Sequence, residues 1–374
     1  MRISLVLIVL SLAGCGEVVR DEPLVSRAQQ GLSMEEREQR IGDPLVDYKD
    51  PEYRITADGG LVTFLDRDNT IWLGGVDSDG RLVPADGRGT ALGTNGPYFR
   101  SANGPEFGVS ARGEAVVWTG VDTTGVRQFF MHRNGVTTQL THGPDDVSAN
   151  LPCKDPQASE QKLLGFTLVG GVQSWFWITE SDPETRHPVP LAKFGSAGPW
   201  WYLDTSRILT NTNDANGVAQ VTLVEPNGAT RVLTSGGLPK VDMLAFRAPE
   251  LGGAPVLLTI LEERRQRRKL AFFEVDETTP VLVPLRVVPF ATELRSPEPF
   301  VFQNTSGASV VVTGQGTNDI VLAQLDGGVT TVSDSSPLAR TDPETFVIGS
   351  SLFVSYYATS RTEPTALFHT RLGP

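Results

Sequence analysis

Cysteine is almost absent from this chain: there are two in 374 residues, Cys15 and Cys153. If Cys15 is engaged elsewhere, Cys153 has no partner and no intrachain disulfide is possible. A lone cysteine then reads as a small buried apolar residue. Histidine is nearly as scarce, with His132, His142, His187 and His369. No two stand at H-E-x-x-H spacing, so the sequence supports no zinc site and implies no cofactor. A G-x-S-x-G nucleophile elbow is missing as well. Positive charge is in deficit: a net charge of −12 and a pI near 4.9 argue against a nucleic-acid partner, which needs a basic surface. Long helical periodicity is nearly absent. The apolar run at 5–12, broken only by Ser11, is too short to span a bilayer.

What the chain has in quantity is turn residues, with 38 Gly and 26 Pro. Between them lie short apolar runs. In the stretch 104–141 a turn at 111–113 leads into the run 115–118, and a second turn at 122–125 leads into 128–132. Asn134-Gly135 then turns the chain into 136–140. Asn-Gly between strand-like runs marks a type I′ hairpin, because both central residues need positive φ. The stretch therefore reads as one antiparallel meander of about four strands.

The meander repeats. Pro-Glu stands at Pro51-Glu52, Pro105-Glu106, Pro249-Glu250, Pro297-Glu298 and Pro343-Glu344, with separations of 54, 144, 48 and 46 residues. The long gap is three times 48, which places two degenerate copies near 153 and 201. Leu151-Pro152 and Pro199-Trp200-Trp201 stand there. A period of 40–50 residues built of short strands is the signature of a β-propeller. The expected fold is all-β, a propeller of four-stranded antiparallel blades. Seven blades are favoured, and six remain open if one degenerate copy is an insertion. The last copy is one strand short, and a segment between Asp43 and Tyr53 is the expected donor of the missing strand.

Two resemblances add to this. Met1-Arg2, the apolar run and then Leu12-Ala13-Gly14-Cys15 resemble a bacterial lipoprotein signal peptide with its lipobox. The resemblance implies a diacylglycerol on Cys15, which would anchor the chain stably in a membrane. Gly16 is not the inner-membrane retention residue Asp, so outer-membrane placement in the cell envelope is expected. Gln139-Leu140-Thr141-His142-Gly143-Pro144-Asp145-Asp146 resembles the first half of the TolB-type propeller repeat. The stretch 107–113, FGVSARG, resembles the second half, and Thr56-Ala57-Asp58-Gly59 is a weaker copy. This resemblance implies a propeller in an envelope setting and no particular partner. The expected organisation is a signal peptide at 1–14, a tether at 15–48 and the propeller at 49–374. Within the partly disordered tether, Ser33 and Glu36 fit a capping box for a short helix over 35–41, with plain disorder as the alternative.

Candidate chemistry falls into few places. The five Pro-Glu carboxylates, Glu52, Glu106, Glu250, Glu298 and Glu344, precede the first strand of their blades and are placed to ring one mouth of the channel. Like charges that close raise one another's pKa. The alternative is structural, with Pro fixing φ and Glu accepting turn N–H groups. Trp175, Trp177, Trp200 and Trp201 form the candidate binding surface, set against plain blade packing. Adjacent aromatics on a strand face opposite ways, so some must leave the core. The Asp/Asn-rich stretches at 66–69, 77–80 and 213–217 carry oxygen ligands suited to Ca²⁺ but no closing Glu, and read as turns. Residues 264–269 form a basic knot, read as a solvated turn or a contact for an acidic surface. The chain thus reads as an envelope module that binds or scaffolds a protein or glycan. The alternative is a hydrolase or lyase acting on carbohydrate. An enzyme calls for a carboxylate pair about 5–10 Å apart in a deep pocket with perturbed pKa values. A binding module calls for a broad aromatic face.

Overall fold

A computed structural model describes residues 32–373 except 57–58, 95–103, 192–197, 204, 263–267, 277–281, 291, 314–317, 335–337 and 360–364. The described chain is a succession of antiparallel meanders. They occupy 49–94, 106–139, 148–188, 200–232, 240–289, 294–331 and 339–373. The last two join one hydrogen-bonded sheet through a single parallel bridge, Asn318 to Ala339. Local signals build each unit. Asn134 and Gly135, for example, take φ of 52° and 78°, and the strand Val136–Gln139 folds back on Arg127–Arg133.

No meander hides its apolar faces alone. Buried clusters each draw on two neighbours. One joins Leu65 and Ile71 to Phe107 and Trp118; the next joins Val117 and Phe129 to Leu163 and Phe176. The series ends with Phe346, Phe353 and Leu367 packed on Tyr48, Val62 and Phe64, so the last meander meets the first. The first strands of successive meanders also touch along an inner line. Lys49–Thr56 contacts both Glu106–Ser110 and Ala339–Ile348, which closes the ring. Cys153 is buried in one of the clusters, as its type predicts.

The missing strand of the last meander is supplied by Ser33–Arg40, which pairs antiparallel with Ala366–Gly373. This corrects two expectations. The donor is not the segment 43–53, whose Val46 and Tyr48 fill the core between first and last meanders and whose end opens the first inner strand. The helix expected over 35–41 is a strand. Ser33–Arg40 of the tether therefore belongs to the sheet. Glu38 fixes it, accepting from Arg340 Nε at 3.0 Å and Nη2 at 2.8 Å. Glu35 and Glu36 add pairs to Arg371. The signal peptide, Cys15 and the first half of the tether lie outside the described residues, as does most of the basic knot.

Candidate functional site at the channel mouth

Five inner strands carry an irregularity at the same place, where the ladder register slips at a residue with positive φ: Asp50 (46°), Ala149 (58°), Asp242 (49°), Ser296 (47°) and Asp342 (55°). A bulge of this kind bends a strand and re-aims its side chains. Proline tolerates such a position because no ladder N–H is required of it. Gly104 and Gly198 hold the corresponding places in the second and fourth meanders. Neither accepts a side chain: a Cβ on Gly104 would lie 2.4 Å from Asp50 Cβ, and one on Gly198 would lie 2.3 Å from Trp175 Cζ2. The seven positions 50, 104, 149, 198, 242, 296 and 342 are the true frame of the repeat.

This frame corrects one site residue. In the fifth meander the frame residue is Asp242, followed by Met243-Leu244 where other copies have Pro-Glu. Pro249-Glu250 lies further on, in a short 3₁₀ turn Pro249–Leu251. There Glu250 accepts from Ser306 N at 2.9 Å and from Ser306 Oγ, tying the fifth meander to the sixth. It takes no part in the channel mouth.

The remaining Pro-Glu carboxyls converge. A cavity of about 660 Å³ is lined on one side by Glu52, Glu106, Glu298 and Glu344 together with Asp50, Asp242 and Asp342. On the other side stand Trp175, Trp200, Phe166, Leu151 and Leu244. The acidic wall comes chiefly from the first, second, sixth and seventh meanders, and the aromatic wall from the third and fourth. Arg295 reaches the rim. Tyr357 donates to Asp50 Oδ1 at 3.0 Å. Lys154 lies close enough to act electrostatically on Glu52, Glu106 and Glu298.

Burial and mutual repulsion govern the acidic wall. Desolvation is the main cause that pushes Glu106 up to about 8, with Lys154 opposing and Glu298, Asp342 and Asp50 adding. Glu298 is likewise raised to about 8 by burial and then by Glu52, against Lys154. Glu52, Asp342 and Glu344 are driven well above the carboxyl range by burial and by the other acids of the wall. At neutral pH this wall holds protons.

Trp200 and Trp201 divide as strand alternation requires, whereas Trp175 and Trp177, two residues apart, share a face and differ in depth along it. Trp200 faces the cavity, while Trp201 is buried between the third and fourth meanders and donates from Nε1 to Leu151 O at 2.9 Å. Trp175 reaches the cavity, tilted against Phe166 with centroids 5.0 Å apart. Trp177 points elsewhere, stacked on His187 at 3.9 Å with Lys162 Nζ 5.6 Å from its ring. Six of the nine binding residues singled out from sequence thus meet in one cavity, and Glu250, Trp177 and Trp201 do not.

Sequence reasoning passed over Asp50, Asp242 and Asp342. The signal was present in two of them, since Asp50 and Asp342 immediately precede Pro-Glu, whereas Ala248 precedes the stray pair. The Asp-rich turns behave as turns: Asp66 accepts from Asp68 N and Thr70 N, Asp77 from Asp79 N and Arg81 N, and Asp214 from Asn216 N and Val218 N. Among the described residues no group of three or more His, Cys, Asp or Glu is placed to hold a metal ion.

No protein-family model matches the sequence, and no curated protein matches it. Solved structures share its fold. The chain aligns with a polysaccharide lyase, an ulvan lyase bound to -[GlcA(1-4)Rha3S]-, at a TM-score of 0.56 and 11% identity, over 90% of this chain and 95% of that one. It aligns with the β-propeller domain of Cps50 (Swd1) from Myceliophteria thermophila at a TM-score of 0.52 and 10% identity, over 88% and 98%. TolB from Acinetobacter baumannii aligns at 0.46 and 12%, over 77% and 79%. At such identities the likeness is one of fold, and the meanders, their shared cores and the closed inner line agree with it: the chain is a β-propeller.

Proposed function

We propose that this chain is a seven-bladed, glycan-binding propeller of the bacterial cell envelope, with the channel mouth as its binding site. The observation that carries the reading is the meeting of two unlike walls in one cavity of about 660 Å³. An aromatic ring takes the C–H face of a pyranose. Protonated carboxyls both donate to and accept from its hydroxyls. A recessed cavity of this size suits a ligand of a few sugar units better than the broad surface of a protein partner. Trp200→Ala should weaken glycan binding at least tenfold, whereas Trp177→Ala, outside the cavity, should leave affinity within about twofold. A glycan array followed by calorimetry measures both, and equal losses from the two variants would remove the site.

One observation favours a second reading, in which the bound carbohydrate is also cleaved. Glu106 and Glu298, with pKa values of about 8, retain protons at neutral pH as a general acid must. Release of reducing ends or unsaturated products from bound oligosaccharide, abolished by Glu298→Gln, would establish it.

The envelope address rests on the lipobox resemblance at Cys15. Cys15→Ala should leave the chain soluble in the periplasm, while the wild-type chain partitions into detergent. An intact mass without acyl chains on wild-type Cys15 would refute the anchor.

A further inference from the structure

Resting on the glycan reading, we infer that the sugar this mouth takes is basic: it carries a free, protonated amine, seated among Glu52, Glu106, Glu298 and Glu344 while its ring lies on Trp200.

Glu106 gives the first reason. It is 6% exposed and lines the cavity, with Lys154 acting on it electrostatically. A nearly buried carboxyl that opens on a cavity is placed to take a donor from a ligand there. The second reason is the balance of charge. Seven carboxyl groups line the cavity, while among the described residues Arg295 and Lys154 are the cations that line it or act on it, so the wall keeps protons. A neutral sugar leaves those protons in place, and a uronate adds one more acid. An ammonium takes the place of wall protons, lets carboxyls ionise against it and adds charge-assisted bonds. The third reason is the opposite wall, because Trp200 and Trp175 offer rings to which a cation is also attracted. The acids do not fit a divalent metal instead: no three are placed to hold one.

The test is calorimetric titration of the purified full chain at pH 7 with four tetramers of similar length: β-1,4-glucosamine, its N-acetylated form, cellotetraose and tetragalacturonate. Spermine serves as a non-sugar amine. The glucosamine tetramer should bind at least tenfold tighter than the N-acetylated and neutral tetramers, and the uronate weakest. The double variant Glu106→Gln, Glu298→Gln should cut that preference below about threefold. The fold of the double variant is checked by its melting temperature. Equal binding of acetylated and free-amine tetramers would overturn the amine and leave the glycan site standing. Spermine binding as tightly as the glucosamine tetramer would overturn the sugar and keep the ammonium. Failure of every tetramer would overturn both.

Discussion

A chain that begins at residue 41 should melt well below one that begins at residue 32. The difference is Ser33–Arg40, the outer strand that completes the last meander. Its removal exposes the edge of Ala366–Gly373 and strips Arg340 of its main counter-ion. Arg340 is fully buried and Glu38 nearly so. Asp334 also meets Arg340, at 2.6 Å, but that carboxylate is half exposed. Taking one partner out of a buried ion pair costs about 3–5 kcal/mol, because the other charge stays buried without compensation. Glu38→Ala should therefore destabilise by about that much in urea unfolding. Glu36→Ala, which removes an exposed contact 3.7 Å long, should cost less than about 1 kcal/mol. Equal stability of the chains beginning at 32 and 41 would refute the closure.

Glu106→Gln should stabilise the protein at pH 8 and do little at pH 5. Glu106 lies at about 8 in the folded chain against 4.5 for an ordinary Glu carboxyl. Between those values the folded state keeps a proton that the unfolded chain releases. Stability is then full below 4.5 and falls as pH rises toward 8. Each unit of displacement corresponds to about 1.4 kcal/mol. Glutamine keeps the shape and never ionises. The variant's Tm should stand roughly 5 °C above wild type at pH 8 and within about 1 °C at pH 5. Glu298→Gln should behave alike. A variant that melts below wild type at pH 8 would mean that the carboxylate is compensated rather than strained.

The local grammar of the fold was legible because it is written in neighbouring residues. Asn134-Gly135 specifies its hairpin without help from the rest of the chain. Closure was not, because it is a property of distant segments. The sequence SMEEREQR of Ser33–Arg40 lies mostly exposed on the outside of the last meander, so it needs no apolar alternation, and its local preferences favour a capped helix. Pairing with Ala366–Gly373 overrides that preference.

The site was legible to the extent that its repeat residue is chemically unusual. Pro-Glu marks four of the seven inner strands because a bulge admits Pro there. The same dipeptide at Pro249-Glu250 serves a 3₁₀ turn, and two residues carry no record of which bend they make. A preceding Asp marks two of the four, Asp50-Pro51-Glu52 and Asp342-Pro343-Glu344, while Gly104 and Ser296 precede the others and leave them no more distinct than Ala248 leaves the stray pair. For Trp200 and Trp201 the sequence shows that one must leave the core, but the phase is set by the pairing of Trp200 with Leu209 and Trp201 with Ile208.

The most direct test of the account is a ¹³C titration of the side-chain carboxyls in protein labelled at glutamate Cδ. Convergence of the Pro-Glu carboxyls in one desolvated mouth predicts resonances that titrate near pH 8, with one lost in Glu106→Gln, another in Glu298→Gln and none in Glu250→Gln. If every glutamate instead titrates between about 4 and 5, the ordinary range, the four carboxyls do not share a buried wall, and the binding site built on them fails.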